Sequence, residues 1–89
     1  MKSSQDLIYQ VITNDIRRAI LRELIDNDLY PEDLSVIFEL SPSAITKHLK
    51  ILQNAGFISR HRQGKRILCR LKPQAHLLMK VDWSNRCLL

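Results

Sequence analysis

The sequence predicts a mainly α chain with one small β-hairpin, in the order helix, helix, helix, helix, strand, strand, helix. Three observations predict it. Apolar residues recur at helical spacing in short blocks as far as Ala55, the spacing changes to two beyond Gly56, and Pro73 opens a last stretch of helical spacing. The chain has 89 residues, one domain's worth, and is read as a single domain over residues 1–89. A domain of that size buries only about 60% of the surface that its unfolded chain exposes.

The first helix is placed over Gln5 to Thr13, capped by Ser3 or Ser4, with Leu7, Ile8, Val11 and Ile12 on one stripe. Asn14 is positioned to cap a second helix from Asp15 to about Asp26, whose apolar face is Ile16, Ile20, Leu21 and Leu24. Pro31 suits the first turn of a third helix. Glu32 and Asp33 sit by the positive end of its dipole, and Leu34, Ile37 and Phe38 are expected to point one way. Ser41 is a good cap and Pro42 a good first residue for a fourth helix running to Ala55, which Gly56 ends. Helices three and four are then joined by about three residues, Glu39 to Ser41, the length of a helix-turn-helix connection. Strands follow over Phe57–Arg62 and Arg66–Leu71, with Gln63-Gly64-Lys65 as the turn. In the second strand Ile67, Cys69 and Leu71 share a face, opposed by Arg66, Leu68 and Arg70. A last helix from Pro73 to about Arg86 carries Leu77, Leu78, Val81 and Leu88 as its apolar side. A helix-turn-helix followed directly by a basic hairpin is a winged helix.

Charge divides the chain. Residues 1–42 carry four basic and eight acidic side chains, a net of −4, whereas residues 43–89 carry the other ten basic ones and a single acid, Asp82, a net of +9. Such asymmetry points to one face made for a polyanion. No apolar run approaches the length needed to span a membrane, and the N-terminus lacks the apolar core of a signal peptide, so a cytoplasmic protein is expected. Cys69 and Cys87 form no CxxC pair and read as free thiols. No Ser-His-Asp, paired-carboxylate or phosphate-loop constellation supports an enzyme, and no cofactor is expected.

The fourth helix holds the residues suited to DNA. Ser43, Thr46, Lys47, Lys50 and Asn54 follow one helical stripe opposite Ala44, Ile45, Leu49, Ile51, Leu52 and Ala55. Short hydroxyls let a helix approach base edges closely, lysines reach guanine or phosphate, and the free N–H groups of the helix start suit a phosphate. An ordinary amphipathic surface helix has the same pattern, and the hairpin tips the balance. Arg60-His61-Arg62-Gln63-Gly64-Lys65-Arg66 packs four basic residues and a histidine into seven positions with no acid, a repulsion that flanking phosphates would relieve. The expected contacts are Ser43, Thr46, Lys47 and Lys50 on the helix and Arg60, Arg62, Gly64, Lys65 and Arg66 on the wing. Ridge and wing are expected to face outward on the same side.

The blocks Ile16-Arg17-Arg18-Ala19-Ile20-Leu21, Leu40 to Leu52, Ala55-Gly56-Phe57-Ile58 and Arg62 to Arg66 resemble the arsenic-repressor (ArsR) family of bacterial winged-helix repressors, over about residues 7–83. The resemblance implies a homodimer on a palindromic double-stranded operator, with the first and last helices paired across a two-fold axis and the fourth helix in the major groove. Leu7, Ile8, Val11, Leu77, Leu78 and Val81 would then form the dimer interface, in addition to any share in the intrachain core. Pro42, Ser43, Thr46 and Lys47 would be the main groove contacts. Metal-sensing members carry a Cys-x-Cys pair in the third helix, where this chain reads Leu29-Tyr30-Pro31-Glu32-Asp33-Leu34. The last helix has His76 and Asp82 without a full ligand set, so no metal is expected and a metal-independent branch is the closer likeness. The alternative function is a winged-helix protein-interaction module that binds no DNA.

Several residues have plainer readings. His48 lies on the apolar side of the fourth helix and is read as packed and hydrogen-bonded, while His61 stands between a phosphate contact and a surface residue. Cys69 is read as a small apolar residue of its strand, Trp83 as a packing anchor, and His76 as a surface or dimer-facing residue. Arg17 and Arg18 either contact backbone or pair with Asp15 or Glu23, the second being preferred.

Overall fold

The structure, a computed structural model, describes residues 4–76. It contains α1 (Ser4–Ile12), α2 (Asp15–Asp26), α3 (Pro31–Phe38), α4 (Pro42–Asn54), β1 (Ile58–Gln63) and β2 (Arg66–Leu71). Residues 73–76 are again helical, as expected for the start of the last helix. The expectations for Leu77, Leu78, Val81, Trp83, Cys87 and Leu88 lie outside the described residues.

The local chemistry sets the element boundaries. The Asn14 side-chain oxygen accepts the Arg17 N–H at 3.0 Å and starts α2. The Tyr30 N–H donates to the Asp33 carboxylate at 2.9 Å, and Pro31 takes the first helical position of α3. Ser41 Oγ accepts the Ala44 N–H at 3.2 Å, so α4 starts at Pro42. Its end is a Schellman closure: Phe57 N–H reaches the Leu52 carbonyl, Gly56 N–H reaches that of Gln53, and Gly56 takes φ +83°. This closure uses Phe57, so β1 begins at Ile58 and not at Phe57 as expected.

The turn between α3 and α4 closes in the same way, with Leu40 N–H on the Ser35 carbonyl and Glu39 N–H on that of Val36. Here the left-handed position belongs to Glu39, at φ 54°. A side chain in that region is strained by roughly 1–2 kcal/mol, and glycine would relieve it at some cost in unfolded-state entropy. Glu39→Gly is therefore expected to stabilise the fold by about 0.5–1 kcal/mol, read as a rise of a few degrees in the thermal midpoint. An unchanged or lower midpoint would show that the Glu39 side chain contributes more than the strain costs.

One apolar cluster joins all the elements. Val11 of α1, Ile20, Leu21 and Leu24 of α2, Leu34 of α3, Ile45, Leu49 and Leu52 of α4, and Ile58 and Cys69 of the strands are buried together. Leu34 and Phe38 pack as expected, but Ile37 does not join them: it is 46% exposed, beside Val36 at 78%. An eight-residue helix buries a narrow stripe, and with Leu34 and Phe38 on it Ile37 falls on the rim.

The strands pair antiparallel with Ile58 opposite Leu71, Arg60 opposite Cys69 and Gln63 opposite Arg66. The turn is therefore the two residues Gly64-Lys65, one fewer than expected. Positive φ occurs at Gly64 (+65°) and not at Lys65, the signature of a II′ turn. The register puts Ile58, Arg60 and Arg62 on the face of Ile67, Cys69 and Leu71, which is the core side near the hairpin's base. One pairing had no sequence signal. Leu29, in the α2–α3 connection, exchanges both backbone hydrogen bonds with Cys69, at 3.1 and 2.8 Å, and adds a one-residue third strand.

Candidate nucleic-acid interface

The ridge on α4 forms as its spacing requires. Ile45, Leu49 and Leu52 are fully buried, which turns Pro42, Ser43, Thr46, Lys47, Lys50 and Asn54 out to solvent, all of them exposed. The first turn of α4 holds no acidic residue, so the positive end of its dipole is left for an external anion.

The helix is anchored from behind. His48 is half-buried, as expected, and its Nδ1 accepts from Arg17 Nε at 3.2 Å. A second Arg17 nitrogen donates to the Gln10 carbonyl at 2.6 Å, so one guanidinium joins α1, α2 and α4. Arg17 thus takes neither Asp15 nor Glu23 as partner, whereas Arg18 pairs with Asp15 as preferred. Burial, and secondarily the Arg17 charge, hold the His48 imidazole below its ordinary value of 6.5. The unfolded chain therefore takes up this proton first as pH falls. The stability linked to His48 is complete above pH 6.5 and is lost as pH drops toward the lowered folded value. His48→Gln is expected to flatten that part of the stability curve between pH 7 and 5, measured by urea unfolding. A curve as steep as that of the unaltered protein would remove His48 as its source.

The wing divides the expected cations. Arg62, Gly64 and Lys65 are exposed at its tip, with an Arg62 Nη1 to Gly64 carbonyl bond at 3.3 Å. Arg60 is half-buried on the inner face opposite Cys69, and its Nε has no hydrogen-bond partner among the described residues. Arg66 lies flat on the Tyr30 ring, 3.5 Å from its centroid, and pairs with Glu32 at 3.4 Å. None of the ion pairs among the described residues takes up Lys47, Lys50, Arg62 or Lys65, which are the exposed cations of α4 and the wing tip. His61 is exposed and bonded through Nε2 to Ser59 Oγ at 2.8 Å. The Cys69 thiol is buried, and burial raises its pKa against a smaller opposite pull from Arg60, so it packs as an inert apolar group.

On α1, Leu7 is half-buried and Ile8 lies at the margin of exposure, but Val11 is fully buried within its own chain. Val11 thus takes the intrachain share of the stripe: α1 winds by 3.6 residues per turn, and its Val11 edge is the one laid on the core. The apolar surface that α1 presents is Ile8, Tyr9 and Ile12. Among the described residues no three His, Cys, Asp or Glu side chains converge as a metal site would require, and no helix is long and apolar enough to cross a membrane.

The wing's supports have no signal in the local sequence. Tyr30, Glu32 and Asp28 meet Arg66, Gln63 and Arg70 across 33 to 42 positions, a pairing that no local pattern encodes.

A polar helix held by a three-residue turn, with a cationic hairpin beside it, defines a winged helix-turn-helix DNA-binding regulator of transcription. A family profile described as "Bacterial regulatory protein, arsR family" matches residues 14–60, from the cap of α2 into β1. The chain belongs to that family. It is 37% identical over 76 residues to the transcriptional repressor SdpR of Bacillus subtilis (strain 168), an alignment covering 85% of this chain and 83% of SdpR. Among solved structures it resembles HlyU from Vibrio cholerae N16961, with a TM-score of 0.81 at 25% identity over 94% of this chain and 92% of that one. It has the same fold as the DNA-binding domain of Mb0332 from Mycobacterium bovis, described as homodimeric, with a TM-score of 0.80 at 18% identity over 86% and 72% of the two chains.

Proposed function

We propose that the protein is a repressor that binds a palindromic operator as a homodimer, inserting α4 in the major groove and resting the wing on the flanking backbone. The observation that carries this reading is the unbroken exposed ridge of α4, with Ser43, Thr46, Lys47 and Lys50 facing out and no acid in its first turn. Pro42 and Ser43 approach the groove at the helix start, Thr46 and Lys47 read base edges, and Lys50 reaches phosphate. Arg62 and Lys65, with the Gly64 backbone, serve the flanking phosphates, and Arg60 and Arg66 support the wing from behind.

The exposed Ile8, Tyr9 and Ile12 of α1 favour pairing of two copies, with Leu77, Leu78 and Val81 as the proposed remainder of that interface. Repression follows the likeness to SdpR, no catalytic activity is assigned, and the site of action is the cytoplasm, where the operator lies. No metal or cofactor takes part in this reading.

Selection of bound sequences from a random duplex pool tests it. The expected product is an inverted repeat with half-sites about 10 bp apart, or a multiple of that, bound less tightly as salt rises because several phosphates are neutralised. Absence of duplex binding even at low ionic strength would leave the protein-interaction module as the function.

A further inference from the structure

The geometry points to Tyr30 as the residue that positions the wing for DNA, with Arg66 acting as a strut to it and not as a phosphate ligand. This inference rests on the function proposed above.

A two-stranded hairpin is marginal on its own and needs a third partner to hold a fixed direction. The partner here is Leu29, whose paired bonds to Cys69 fix the base of the wing. Arg66 stands three residues further out, about 10 Å along the strand at the usual rise. Tyr30, the next residue after Leu29, spans that gap. Its ring lies under the Arg66 guanidinium at 3.5 Å, and its hydroxyl donates to Gln63 Oε1 at 3.0 Å. Gln63 and Arg66 are the register pair that closes the Gly64-Lys65 turn, so one side chain grips both legs of the tip. Glu32, two residues along in α3, pairs with the same guanidinium at 3.4 Å.

The position of Arg66 has a chemical consequence. One planar face is covered by the ring and the Nε side is turned to the Glu32 carboxylate, so the direction of the guanidinium is set by Tyr30 and Glu32 and not by an incoming phosphate. Arg62 and Lys65 have no such partner, and they can meet phosphates only where the turn between them is held. Tyr30 therefore controls phosphate contacts that it does not itself make, by sparing the wing the ordering cost on binding.

The discriminating variants are Arg66→Lys and Tyr30→Ala, assayed by fluorescence anisotropy on the selected operator duplex over a salt series, with thermal unfolding measured in parallel. Arg66→Lys keeps the charge and loses the planar stack. A strut predicts that it weakens binding as much as Arg66→Ala does, roughly three- to tenfold, whereas a phosphate ligand predicts binding close to that of the unaltered protein. Tyr30→Ala removes no charge, yet it is expected to lower affinity to a similar extent and to flatten the dependence of log affinity on log salt. The double variant Tyr30→Ala/Arg66→Ala should bind no worse than either single one, and Tyr30→Phe, which retains the ring, should keep most of the affinity. If Tyr30→Ala is unfolded at the assay temperature, the half-exposed Arg66→Lys decides alone. Operator binding by the unaltered protein together with full affinity in Arg66→Lys overturns the strut and leaves the proposed function standing. Failure of the unaltered protein to bind any duplex overturns both.

Discussion

Leu49→Ala is expected to destabilise the protein by about 2–5 kcal/mol, the largest effect of any single truncation considered, and to lower its thermal midpoint by roughly 10–30 °C. Leu49 is fully buried at the middle of α4, in a cluster that includes side chains from α1, α2, α3 and the hairpin. Truncation removes the transfer free energy of its methyl groups. It also leaves a cavity, because helices tied by short turns on four sides cannot all move in to fill it. A domain of this size has a total stability of only about 5–10 kcal/mol, so the loss is a large share of it. The measurement is thermal and urea unfolding at fixed protein concentration, since the proposed dimer would make the midpoint depend on concentration. Gln53→Ala, at an exposed position on the same helix, is the control and should change stability by no more than about 0.5 kcal/mol. A Leu49→Ala midpoint within a few degrees of the unaltered protein would mean that α4 is not packed as described.

The second large effect is on DNA. Thr46→Ala with Lys47→Ala is expected to cost roughly 1–3 kcal/mol of binding per half-site, hence about 2–6 kcal/mol for a dimer on a full operator. Both side chains are exposed on the outer face of α4, so the folded structure should be retained, and the thermal midpoint should stay within a few degrees. The two residues should also separate by mechanism. Lys47→Ala alone lowers the salt dependence of binding if Lys47 reaches phosphate, whereas Thr46→Ala changes which base is preferred without altering that dependence. Unchanged operator affinity in the double variant would take α4 out of the groove and remove the basis of the proposed function.

Most of the local architecture could be read from the residues alone. The cap at Asn14, the Ser41-Pro42 start of α4, the glycine that ends it and the extent of β2 all depend on side chains within four positions of one another. The structure departs from the local pattern where two local demands compete or where a short element has too few residues to average over. Phe57 has a strand's spacing, but its N–H is required by the helix closure before it. Ile37 has the spacing of an inward residue, but on a helix of two turns one position of drift moves a side chain from core to rim. For Val11 the sequence leaves core and partner copy both open, because an apolar stripe does not say which body it will be pressed against, and the fold gives it to the core.

The basic hairpin shows the same division within the candidate site. The sequence presents Arg60, Arg62, Lys65 and Arg66 as four equivalent charges, and no local rule ranks them. Register puts Arg60 and Arg62 on one face, but only Arg60 lies near enough to the hairpin's base to be half-buried, and the distant Tyr30 and Glu32 take Arg66, so Arg62 and Lys65 are left exposed at the tip.

By itself the sequence determined the element order, the helix-turn-helix spacing, the outward polar ridge of α4 and the presence of a cationic wing, because each is set by periodicity and by capping or turn chemistry over a few neighbouring residues. Only the tertiary structure decided which of those cations face solvent, what holds the wing, and which apolar edge of α1 is left uncovered. Those outcomes depend on contacts between residues tens of positions apart, where the geometry of packing and not the local pattern selects the partner.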